Sequence, residues 1–141
     1  MDQRRAQLEM FRDSLERCLA DPTFTQRFYA RFLLSHDEVE RKFAHVDLKR
    51  QGKVLRASLY MVLRAALGHA DGVEHLEELA RTHSKLRHDV GPHLYEHWLD
   101  CLIAAARETD TSFGEGLADA WRAGLRPAID IMTRRYESGA P

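Results

Sequence analysis

Cysteine is scarce in this sequence. Cys18 and Cys101 are the only two in 141 residues, far apart and without a pairing pattern. That excludes a disulfide framework, and two free thiols lead us to expect a reducing compartment, the cytoplasm. Proline (4) and glycine (8) are few enough to read as punctuation between longer elements. No segment alternates apolar and polar residues between hairpin turns, which excludes a sheet protein. No stretch approaches the ~18 consecutive apolar residues of a membrane span. The Arg-rich start, Met1-Asp2-Gln3-Arg4-Arg5, is followed by no apolar run and is not expected to be a signal peptide. Acidic residues (22) nearly balance basic ones (21), so no electrostatic case exists for nucleic acid or an anionic membrane.

What is present is helical periodicity along almost the whole chain, in a length that suits one domain, taken as residues 1–141. Leu8, Phe11, Leu15 and Leu19 form the first stripe, ended near Asp21-Pro22, where Asp21 suits a cap. Phe24, Phe28, Phe32 and Leu33 form the second. Ser35-His36-Asp37-Glu38 opens a short turn of helix leading to Phe43, and residues 44–50 read as loop. A third stripe carries Leu55, Leu59, Val62, Leu63 and Ala66 on a helix expected from about Gln51 to Leu67. Residues 68–72 read as a break. Val73, Leu76, Leu79, Ala80 and His83 follow, then a turn at Asp89-Val90-Gly91-Pro92. A long helix carries Leu94, Tyr95, Trp98, Leu99, Leu102 and Ile103. After a loop over 109–114, Leu117, Trp121, Leu125, Ile129, Met132 and Tyr136 mark the last helix, which Pro127 should bend or break near Ala123-Gly124. The fold class is therefore all-α, six to seven helices and no sheet.

Chemistry concentrates in the histidines, of which residues 79–98 hold four of eight. His93-Leu94-Tyr95-Glu96-His97 has a zinc-hydrolase spacing, with two imidazoles at i and i+4 on one helix face. Against it, Pro92 makes His93 a helix start, where exposed polar residues are ordinary, and no third ligand is marked out downstream. A solvated helix flank is the simpler reading. His83 differs, because Leu76, Leu79, Ala80 and His83 share one face and put an imidazole against a core. It must find a partner there. A carbonyl or a tyrosine would serve a structural histidine. A metal would serve equally, and one nitrogen donor on an apolar wall suits haem iron better than zinc.

Thr25-Gln26-Arg27-Phe28-Tyr29-Ala30-Arg31-Phe32, Phe43 fourteen residues after Tyr29, Leu79-Ala80-Arg81-Thr82-His83-Ser84, Pro92 with Tyr95 three residues on, and the helix around Trp121 occur in an order that resembles the globins. The resemblance is to bacterial single-domain haemoglobins and the globin domain of flavohaemoglobins, over about residues 5–137. It implies a three-over-three helical sandwich holding non-covalent haem b; the Cys-x-x-Cys-His of covalent attachment is absent. It implies His83 as the proximal iron ligand, Phe43 stacked on the porphyrin, and Tyr29 over the iron on the distal side. Tyr95 would hydrogen-bond His83. Leu59, Leu79 and Trp98 would complete the cofactor wall, with Trp98 and Trp121 otherwise core residues.

Two positions depart from the family. Leu55, with Val54 as the alternative alignment, stands where many globins carry a distal His or Gln. Gln51, one turn earlier, is then the expected partner of Tyr29 in ligand hydrogen bonding, with Lys53 as a propionate or iron contact. Tyr136, next to Glu137, stands where flavohaemoglobins hold a Glu that completes a chain with the Tyr and the proximal His. The functions implied are reversible binding of O2, with NO and CO, by a monomer or homodimer. Others are NO dioxygenation dependent on an external reductase, since no dinucleotide motif is present, or gas sensing through a partner. A haem-free globin-like fold would not need both His83 and Phe43.

Overall fold

In a computed structural model that describes residues 3–84 and 88–139, the chain forms seven helices and, among those residues, no strand. They are α1 (Gln3–Ala20), α2 (Phe24–Ser35), α3 (Asp37–Lys42), α4 (Leu48–Ala66), α5 (Ala70–Thr82), α6 (His93–Thr109) and α7 (Leu117–Ser138). Met1 and Asp2 of the Arg-rich start, and Lys85 to Arg87 in the histidine-rich segment, lie outside the described residues. No described helix is long and apolar enough to cross a membrane.

Local chemistry sets most boundaries. The Asp21 carboxylate accepts from the Thr23 N–H (2.8 Å) and hydroxyl (2.7 Å), turning the chain between α1 and α2. His36 rather than Ser35 caps α3: its Nδ1 accepts from the Glu38 N–H at 3.0 Å, while the Ser35 hydroxyl donates back to the Phe32 carbonyl. Asp47 accepts from the N–H groups of Lys49 and Arg50, so α4 begins at Leu48, three residues before the expected start at Gln51.

Helix pairing places the core. α1 lies on α7, α2 on α6, and α5 packs against both α4 and α7. Phe11 meets Trp121 edge-on with centroids 5.0 Å apart, and both are fully buried. The expected break over 68–72 is shorter than the sequence suggested. Gly72 lies inside α5, where a Cβ would stand 2.2 Å from the Ala65 nitrogen and 2.7 Å from the Met61 carbonyl. It is a contact glycine between α4 and α5, and the buried stripe of α5 is Gly72, Leu76 and Ala80, with Val73 exposed. The break expected near Gly124 is absent too. α7 runs unbroken through Pro127, and Gly124 makes room for the Phe11 ring, which a Cβ would meet at 2.3 Å.

A buried polar chain joins α1 and α7 to the end of α6. The Trp121 indole N–H donates to Ser14 Oγ (2.9 Å), and Ser14 donates to Asp110 (2.7 Å). Arg17 closes on the same carboxylate with bonds of 2.7 and 2.9 Å. Burial pushes the Asp110 carboxyl up, but the bonds from Arg17, Ser14 and the Ser112 N–H outweigh it and hold the group below its ordinary value.

Candidate functional site

One cavity opens between α2, α4, α5, α6 and α7, and its wall is overwhelmingly apolar. Nine of the residues singled out in the sequence line it: Tyr29, Phe43, Gln51, Leu55, Leu59, Leu79, His83, Tyr95 and Trp98. They come from five separate segments of the chain, so the fold, not local sequence, brings them together.

His83 follows α5 as its C-terminal cap residue. Its backbone N–H donates to the Leu79 carbonyl at 2.9 Å, and its Nδ1 approaches the same oxygen at 2.9 Å. A carbonyl only accepts, so Nδ1 carries the proton and Nε2 is left with a lone pair. Burial pushes the imidazole pKa below its usual value, against the pull of that bond to Leu79, and nearby His88 lowers it further. His83 is therefore a neutral nitrogen donor on the cavity wall.

The hydrogen bond from Tyr95 to His83 that the resemblance implies is not formed. His83 turns Nδ1 back over its own helix, and the buried Tyr95 hydroxyl has no partner among the described residues. Burial pushes the Tyr95 phenol pKa well up. The neighbouring Tyr136 is engaged elsewhere, donating to Asp89 at 2.7 Å.

Tyr29 is buried on α2, its ring 4.8 Å from Phe28 and 5.8 Å from Phe43 by centroids. Burial raises its phenol pKa to about 12, partly offset by a hydrogen bond with the Gln51 side chain. It is a protonated donor throughout the physiological range. Leu55 and Val54 both line the cavity; Leu55 is 8% exposed and Val54 52%, so Leu55 is interior and Val54 is at the mouth.

Lys53 is not on this cavity. It lines a second hollow between α2 and α4, which also touches Tyr29. The basic residue on the first cavity is Lys42, whose ammonium reaches the His88 carbonyl at 3.3 Å. Sequence reasoning passed over Lys42, although its place beside Phe43 was a usable signal. It also passed over Ser58, which shares a 2.9 Å hydrogen bond with His75 and ties α4 to α5 at the cavity wall.

The spacing His93-x-x-Glu96-His97 does not assemble as a unit. Glu96 is paired with Arg126 at 2.7 Å, and His93 Nε2 contacts Glu38 at 3.0 Å. Trp121 is core, and Tyr136 and Glu137 are not on the cavity.

An apolar slot with a flat aromatic on its wall, one neutral imidazole nitrogen and one buried phenol donor fits a flat apolar cofactor whose metal takes one protein ligand. Comparison with known proteins points the same way. The family model described as Globin matches residues 26–132. The crystal structure of a Pseudomonas aeruginosa PAO1 protein, described as structurally highly homologous to a human hemoglobin, is similar with a TM-score of 0.87. It is 32% identical, and the match covers 92% of this chain and 98% of that one. No curated protein matches the chain.

Proposed function

Because this chain belongs to the globin family and has its fold, we propose that it is a haem b protein of one globin domain that reversibly binds a diatomic gas. Oxygen is the principal ligand, with NO and CO binding at the same place. When bound, haem supplies an iron with one position for the protein and one for the gas.

The observation that carries this reading is the state of His83. Its Nδ1–H is held by the Leu79 carbonyl, which fixes the ring and leaves Nε2 as an unprotonated donor in a largely apolar cavity. Phe43 offers its ring to a porphyrin face. Leu55, Leu59, Leu79 and Trp98 exclude water, which protects a ferrous iron from oxidation. Tyr29, with the Gln51 amide beside it, donates a hydrogen bond to a polar ligand. Lys42 is the cation available to a propionate.

The test is an absorption spectrum of the purified protein, oxidised, reduced and reduced under CO, beside His83→Ala. A Soret band that shifts with CO and is lost or altered in the variant is the expected result. No Soret band after hemin addition, or a spectrum unchanged by His83→Ala, overturns the assignment.

A further inference from the structure

The start of α3 and the start of α6 meet at the surface, and there His36, Glu38 and His93 bring one potential ligand atom each within 4.8 Å of one another. His93 Nε2 lies 3.0 Å from Glu38 Oε1. The His36 ring is 5.6 Å from that of His93 and 5.3 Å from that of His97. We infer that these three side chains form a second metal site, taking a divalent transition ion of the zinc class with two imidazoles and one carboxylate as protein ligands.

Donor chemistry sets the class. Two neutral nitrogens and one carboxylate oxygen suit zinc and its neighbours, whereas calcium and magnesium take oxygen shells. Tetrahedral zinc with bonds near 2 Å holds its ligands about 3.3 Å apart. The Glu38–His93 pair, at 3.0 Å, is already close to that separation, and His36 needs a shift of at most about 1.5 Å to join. The ion would replace the proton shared by Glu38 and His93. Ligation by His36 gives up its cap on the Glu38 N–H whichever ring nitrogen binds, since the other nitrogen must then be protonated. Water fills the fourth position, beside His97.

This assembly differs from the zinc spacing visible in the sequence. His93 belongs to that spacing, but the carboxylate comes from Glu38, fifty-five residues away, because Glu96 is committed to Arg126. The site is independent of the haem reading. It shares no residue with the cavity, yet it joins the helix that leads into Phe43 to the helix that carries Tyr95 and Trp98.

The test is titration of the full chain, as purified and dialysed against EDTA, with zinc chloride alone in competition with a chromophoric chelator. Glu38→Gln and His93→Gln are run beside it. Both positions are partly or fully exposed, and circular dichroism checks that each variant is folded. The expected result is one saturable site in the micromolar range or tighter, weakened at least about tenfold in each variant. Cobalt(II) substitution should give visible bands of a nitrogen–oxygen site. Absence of saturable binding, or variants that bind like the parent, overturns the inference. So does a thiolate charge-transfer band with cobalt, which would assign the ion to a cysteine.

Discussion

The Tyr136 hydroxyl donates to the Asp89 carboxylate across 2.7 Å and so ties the end of α7 to the loop that follows His83. Asp89 holds a left-handed backbone conformation (φ 52°), and its own N–H donates to the Ser84 carbonyl at 2.9 Å. The bond therefore restrains a strained turn just beyond His83. Tyr136→Phe removes it without changing packing. The bond is solvent-exposed, so its loss should accelerate hemin loss to a scavenger only modestly, about twofold. An unchanged loss rate would mean that the turn does not hold His83 in place.

Tyr95 gives the opposite expectation. Its hydroxyl is buried without a partner among the described residues, a costly arrangement. Tyr95→Phe should leave stability unchanged or raise it by up to about 1 kcal/mol in urea titrations. The ferrous and CO spectra should not move, since His83 is oriented by Leu79 and not by Tyr95. A shifted iron–histidine stretch in resonance Raman would instead assign Tyr95 to the imidazole.

Tyr29 and Gln51 should act as a coupled pair. Tyr29→Phe is expected to speed oxygen dissociation about tenfold, the loss of a hydrogen bond worth roughly 1.4 kcal/mol. Gln51→Leu should do less, because the amide acts through its hydrogen bond to the phenol. In the double variant the effects should fall short of additive. Strict additivity would place the two side chains in separate roles.

Much of this site was legible in the sequence, and the reason is physical. His83 shares a face with Leu79 and Ala80, and helical spacing displays that directly. Phe43 and Tyr29 could be placed only through the family pattern, since spacing alone leaves them as ordinary core aromatics. What escaped was set by local hydrogen bonds and by packing contacts that periodicity does not display. The Leu79 carbonyl outcompeted Tyr95 for His83 Nδ1 because it lies one helical turn away. Asp47 moved the start of α4, a cap that a polar run disguises as loop. Gly72 and Gly124 read as breakers, but each permits a close helix contact that only the folded packing reveals.

Gly72 supplies a sharp test of that packing. A Cβ there would meet backbone atoms of Ala65 and Met61, which cannot rotate away. Gly72→Ala gains about 1 kcal/mol in helix propensity. The overpacking of α4 against α5 should cost about 2–3 kcal/mol and leave a net loss in thermal or urea unfolding. Since α4 carries Gln51, Leu55 and Leu59 while His83 caps α5, hemin affinity should fall with it. A stabilised variant would show that α4 and α5 separate to admit a methyl group at little cost.

The Asp110 chain predicts how stability depends on acid. Its carboxyl is held below the usual value in the folded protein by Arg17, Ser14 and the Ser112 N–H. A group depressed on folding contributes stability that is fully present above its unfolded value, about 3.9, and is lost as the pH falls through the folded value. Arg17 is 40% exposed, so the ion pair is partly screened and most of the effect rests on the buried hydrogen bonds. Asp110→Asn should cost about 1–2 kcal/mol near pH 7, where the parent carboxylate is charged and fully bonded. Below about pH 4 the gap between parent and variant should narrow, because the parent is then losing the same charge. Urea unfolding at pH 7 and pH 3 measures both values. A gap of equal size at the two pH values would mean that Asp110 contributes through its shape and neutral hydrogen bonds alone, and acid unfolding of this protein would then have to begin at other carboxylates.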